Sequence, residues 1–215
     1  MGYYTKGEEI ANSVTHGIGA VFSIAALTLM VVFAAIYGNA WQVVSVSVYG
    51  STLIILYVMS TLYHAITNEK AKRVLQIFDH SSVYLLIAGT YTPYSLVILR
   101  QDSYKGWVVF GVIWAMAVLG ITLYAIFPRR FKIFNIASYV VMGWIIVIAF
   151  PDLLRVMQNL NAMKGIYWLF AGGLCYTIGV IFYALKKKKY FHSIWHVFVL
   201  LGTICHFISV FFYVI

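Results

Sequence analysis

Ser60 and His64 stand four residues apart, as do His192 and His196, so on a helix each pair shares one face. Two imidazoles at that spacing can grip one metal ion. His64, His192 and His196 together make a three-histidine set that suits Zn²⁺ and leaves a fourth position for water. Zinc so bound lowers the pKa of that water to about 7, which makes a nucleophile near neutral pH. Beside such a centre Asp79 can hold the water and shuttle its proton, while Ser60 can hydrogen-bond the water or a substrate oxygen. Imidazole ligands also suit copper, iron or nickel, so zinc is an expectation from the ligand set.

Whether these residues meet depends on the elements that carry them. Of 215 residues 63% are hydrophobic and only 10% charged, and the mean hydropathy is +0.90. A soluble domain carries about 25% charged residues, so much of this surface must face lipid. Uninterrupted apolar runs predict spans at 17–37, 43–65, 81–99, 106–126, 133–150, 166–185 and 191–214, each 18 to 24 residues long. About 20 residues cross the hydrocarbon core, so the expected fold is one all-α, seven-transmembrane bundle over 1–215. The net charge is +9, but the basic residues sit in short loops between apolar runs. Membrane lipids, not nucleic acid, are therefore the expected partners, and a cell membrane the expected location. Cys175 and Cys205 lie inside apolar runs and read as small buried side chains. No cleavable signal is evident, because the first apolar run is too long and Lys6, Glu8 and Glu9 precede it.

Eleven of the 15 basic residues fall on one side: Lys6, the loops with Lys70, Lys72 and Arg73 and with Arg129, Arg130 and Lys132, and Lys186–Lys189. Only Arg100, Lys105, Arg155 and Lys164 fall on the other. Cytoplasmic loops retain excess Lys and Arg, which sets the N-terminus inside and, with seven spans, the C-terminus outside. His64 then ends the second span, Asp79 begins the third, and His192 and His196 begin the seventh, all in one layer of the inner leaflet. His206 lies ten residues beyond His196, about 15 Å deeper, and is expected to hydrogen-bond within the bundle. His80 points about 100° away from Asp79 and is expected to be its neighbour in sequence only.

Other roles stand beside these. Asp79 is placed to N-cap a helix beginning near Ser81. Ser60 can be packing glue between helices, and intramembrane histidines can be satisfied core groups. Glu9, Asn12 and His16 form a stripe that reads as an interfacial helix or as a second shell to the metal, the former preferred. Pro93 should kink the third helix and release the Gly89 carbonyl.

At these residues the chain resembles the hemolysin III family, the bacterial branch of the progestin and adiponectin receptor (PAQR) family. The matching motifs are Glu9-x2-Asn12-x3-His16, Ser60-x3-His64, Asp79, and His192-x3-His196. The resemblance implies zinc on His64, His192 and His196 near the cytoplasmic face, with Ser60 and Asp79 acting close to it. Three functions are then open: a zinc-dependent hydrolase of acyl-lipid amides or esters, a membrane-perturbing cytolytic protein, and a receptor or sensor with structural zinc. Short outer loops offer a large protein ligand little to grip. The orientation is checked by fusing alkaline phosphatase or green fluorescent protein after Ile215. The phosphatase fusion should be active and the fluorescent one dark; the reverse would invert the topology.

Overall fold

Short polar caps, rather than the apolar runs, decide where the first helices begin. The computed structural model describes residues 4–101, 103–128, 130 and 132–215, with the backbone alone at Lys132. Arg129 and the Lys132 side chain, counted above toward orientation, lie outside the described residues. Helix α1 (Lys6–Tyr37) opens with a capping box: Glu8 N–H donates to Thr5 Oγ1 and Thr5 N–H to Glu8 Oε2. Asn39 caps α2 (Ala40–Ala65), with Gln42 answering to the Asn39 N–H, and Asn68 caps α3 (Glu69–Pro93). The caps satisfy amides that lipid cannot, so the helices can start beyond the apolar runs with only two or three residues between them. After α4 (Lys105–Ile126) come α5 (Lys132–Trp144), a 3₁₀ stretch Ile145–Ala149 and α6 (Phe150–Asn159), which together form one span. Helices α7 (Met163–Ala184) and α8 (Phe191–Tyr213) complete the chain.

Among the described residues, seven helical segments are long and apolar enough to cross a membrane. Large apolar side chains such as Val21, Ile36, Val118, Leu119 and Ile148 are exposed on their outer faces, where lipid would cover them. Neighbours in sequence pack as neighbours in space, and α1 also packs on α8, so the ring closes. The core inside it runs from Met30, Tyr49 and Leu53 to Tyr84, Ile113, Met142 and Met157.

Three segments outrun the apolar runs: α1 starts at Lys6, α3 at Glu69, and the fifth span continues to Asn159. Charged first turns hide such extensions from a hydropathy reading. The extended α3 overturns the capping role for Asp79: that residue lies ten positions inside the helix, whose cap is Asn68. Pro93 keeps helical dihedrals, and the helix rewinds after it as a π-helical turn, Tyr94–Ile98. In the fifth span the helix gives way at Gly143–Ile146, where a side chain from α3 repairs it. Tyr91 Oη donates to the Gly143 carbonyl (3.1 Å) and accepts from the Ile146 N–H (2.8 Å).

Close approach of α1 and α2 requires a glycine. A Cβ at Gly50 would stand 2.8 Å from Leu27 Cβ and 3.1 Å from its Cα, backbone that cannot step aside, whereas at Gly111 it would meet nothing within 4 Å. Gly50→Ala should therefore destabilise the bundle by about 1–3 kcal/mol. Gly111→Ala should leave stability equal or raise it by about 0.5–1 kcal/mol. Thermal unfolding of the two variants in one detergent checks the pair.

Candidate metal centre

His64 comes from the last turn of α2, and His192 and His196 from the first turns of α8. All three are buried, and one ring nitrogen from each lies within 4.8 Å of the others. The Nε2 atoms of His192 and His196 are 3.2 Å apart. Two ligands about 2.0–2.1 Å from a tetrahedral ion stand roughly 3.3 Å apart, so this spacing already fits zinc.

Helix α1 decides which nitrogens face inward. Glu9 Oε2 lies 2.6 Å from His64 Nδ1, so Nδ1 carries the hydrogen and Nε2, which has no partner, presents its lone pair. The Asn12 carbonyl oxygen lies 3.1 Å from His196 Nδ1 and fixes that ring the same way. Asn12 Oδ1 also accepts from Ser193 Oγ at 2.6 Å, one residue along from His192. Glu9 Oε1 accepts from Lys72 Nζ at 2.8 Å, which ties α3 into the assembly. Glu8 reaches the same end of α8, accepting from the Tyr190 N–H at 2.8 Å, where Tyr190 turns left-handed (φ 60°) to start the helix. Such outer partners hold metal-binding imidazoles in one orientation and raise their basicity. The orphaned His64 Nε2 and the facing Nε2 pair make these residues a fit for a zinc ion.

The Glu9, Asn12 and His16 stripe therefore backs the histidines instead of forming an interfacial helix. His16 stacks on His196, ring centroids 3.5 Å apart, with both its nitrogens unpartnered. Tyr4 covers the other side, stacked on His192 at 4.9 Å. The stripe was visible in the sequence; its partners, on helices far along the chain, were not.

Asp79 and Ser60 line a cavity together with His192 and His196. The Asp79 carboxyl lies close enough to His64 and His196 to act on both electrostatically. Ser60 Oγ is buried beside it, within reach of the Asp79 carboxyl. His80 is more than a sequence neighbour: its Nδ1 stands 3.2 Å from Asp79 Oδ2 and 3.0 Å from the Gln76 carbonyl, and its ring stacks on Tyr124 at 5.2 Å. The 100° step separates Cα–Cβ directions, but two side-chain torsions bring the groups together. His206 is also in the cavity wall, and its Nδ1 lacks the hydrogen bond expected of it. The cavity holds about 1390 Å³ of empty space, its open side included, and passes between α3, α5, α7 and α8.

The chain is similar to known proteins over nearly all of its length. The sequence profile of the family described as "Haemolysin-III related" matches residues 4–207. "Hemolysin-3 homolog" of Bacillus subtilis (strain 168) is 43% identical over 210 residues, 98% of this chain and 96% of that protein. "Hemolysin-3" of Bacillus cereus is 44% identical over 208 residues, 97% and 92% of the two chains. The human "Monocyte to macrophage differentiation factor" is 27% identical over 213 residues, 94% and 83%.

A metal bound by the three histidines would report on the Glu9–His64 contact. Glu9→Gln keeps the shape but weakens the acceptor, and should lower zinc affinity about 10- to 100-fold in a chelator competition. Unchanged affinity would mean that Glu9 does not support the ligand.

Proposed function

The chain belongs to the haemolysin-III-related family and is a multi-pass protein of the cell membrane; from that premise we propose that it is a zinc-dependent hydrolase of acyl-lipid amides or esters. The observation that carries this reading is one juxtaposition: three grouped imidazoles, two of which line an apolar cavity together with the Asp79 carboxyl and the Ser60 hydroxyl. The centre lies near the cytoplasmic face, with the N-terminus inside and the C-terminus outside. The excess of Lys and Arg in the loops at that end supports this orientation.

Zinc on three imidazoles supplies Lewis acidity and makes water acidic enough to serve as a nucleophile near neutral pH. The protein's own groups do the rest. Asp79 takes the proton from the attacking water and returns it to the departing amine or alcohol as general base and then acid. His80, its Nδ1 3.2 Å from Asp79 Oδ2, helps keep the carboxyl turned toward the cavity. Ser60 Oγ, buried beside the Asp79 carboxyl, turns its hydrogen to the substrate carbonyl oxygen as that oxygen gains negative charge. Val83, Leu86, Ile87, Val140 and Leu169 give the acyl chain an apolar wall that keeps water away.

One observation favours a second reading, in which zinc is structural and the protein senses a ligand: the histidine cluster joins α1, α2 and α8, so a metal there also fastens the bundle. The printed name of the Bacillus cereus relative raises cytolysis as a third. Metal analysis and turnover separate them. Asp79→Asn should retain about one zinc per chain yet lose about 10²- to 10⁴-fold in hydrolysis of a fluorogenic acyl amide. His192→Ala/His196→Ala should lose the metal itself. Unaltered turnover in zinc-loaded Asp79→Asn would remove the hydrolytic role of Asp79. Unfolding on zinc removal, with no turnover of any acyl amide or ester, would give the site to the structural reading.

A further inference from the structure

The cavity that leaves the metal centre is apolar for most of its length, with polar groups again at depth. Tyr91, Tyr94 and Tyr176 reach its wall, but each phenol is already engaged. Tyr91 is bound to Gly143 and Ile146, Tyr94 donates to Ser209 Oγ at 2.7 Å, and Tyr176 meets Thr203 Oγ1 at 3.0 Å. His206 differs. It is only 5% exposed, it lines the same cavity, and its Nδ1 has no hydrogen-bond partner. The ring stacks on Tyr176 at 5.3 Å, and its Cδ2–Nε2 edge lies where a Cβ on Gly172 would be 2.7 Å away. A buried imidazole with an unanswered nitrogen is costly in an apolar cavity, and because Nδ1 itself has almost no open surface, an occupant answers it as the ring turns about its Cβ–Cγ bond.

We propose that His206 is a second recognition point for the cavity's ligand, binding a hydroxyl or keto oxygen carried on the acyl chain. This rests on the acyl-lipid reading above and narrows it to chains oxygenated far from the head. The position of the oxygen follows from helix geometry. Ten residues separate His196 from His206 on α8, about 15 Å along the axis. An extended chain of ~1.5 Å C–C bonds advances roughly 1.25 Å per carbon, so the oxygen sits about a dozen carbons from the carbonyl held at the histidine cluster. His206 thus makes the cavity a ruler with a polar mark, where a uniformly apolar cavity would read chain length alone.

The test is displacement of a fluorescent fatty acid from zinc-loaded, detergent-purified protein by stearate, 2-hydroxystearate and 12-hydroxystearate. The 12-hydroxy acid should bind about fivefold or more tighter than the other two, the gain of one hydrogen bond to a buried group. His206→Leu should erase that preference while keeping stearate binding, and His206→Gln, which still offers hydrogen-bonding atoms, should retain most of it. Equal affinities in the wild type, or a preference that survives His206→Leu, would overturn the inference and leave the hydrolase reading in place. If none of the three acids displaces the probe, both fall. Should His206→Leu fail to fold, the wild-type comparison of the 2- and 12-hydroxy acids decides alone.

Discussion

A buried imidazole has two nitrogens to satisfy and, inside a lipid-embedded bundle, no bulk water to help. That constraint governs this protein. Three histidines from two helices turn one nitrogen each toward a common point, and their outward nitrogens need partners of fixed polarity. Helix α1 supplies two of them, through the Glu9 carboxylate and the Asn12 carbonyl, and is itself held by Lys72 from α3 and by the start of α8. The polar stripe of α1 thus sets the register of α1 against α2 and α8, and the apolar packing that follows along those helices inherits it. The carbonyl contact carries a further constraint. Because Asn12 answers His196 through its backbone, the position of α1, and not only its side chains, is specified.

The opposite wall is built differently. Where the fifth span loses its α-helical bonding at Gly143–Ile146, a single phenol from α3 answers both the freed carbonyl and the freed amide. The third helix carries its own irregularity one turn further along, the π-helical turn after Pro93. Two imperfect helices facing each other leave space that regular ones would close, and the cavity runs between them. A polar layer at one end and an irregular apolar chamber beyond it match what the proposed acyl-lipid substrate would need, a held head group and a loosely held chain.

Much of this was legible in the sequence, unevenly and for definable reasons. Seven apolar runs gave seven crossing segments, because burial in lipid leaves a mark in every residue of a span. The starts of α1 and α3 were hidden, because Thr5 and Asn68 cap helices whose first turns are charged. The mistaken capping role for Asp79 came from that: an apolar run beginning near Ser81 looks like a helix start when the true start is twelve residues earlier. The convergence of His64, His192 and His196 could be read from depth alone, since helical rise is fixed. The supporting shell could not. Glu9 and His64 are 55 residues apart and Asn12 and His196 are 184, and no local pattern says which face of α1 turns inward. His80 was misjudged because helical angle locates a Cβ and says little about the end of a long side chain.

The site draws on both extremities of the chain: Glu9 and Asn12 belong to the first helix, His192 and His196 to the last. During synthesis the Glu9 carboxylate can meet His64 and Lys72 once α2 and α3 are in place, but the Asn12 carbonyl waits for His196, 184 residues further on. A nascent chain that has passed residue 79 but not residue 192 carries His64 and Asp79 without the pair of imidazoles that completes the set. The centre is therefore assembled only when α8 joins the bundle, and no intermediate lacking α8 can present its chemistry to the bilayer.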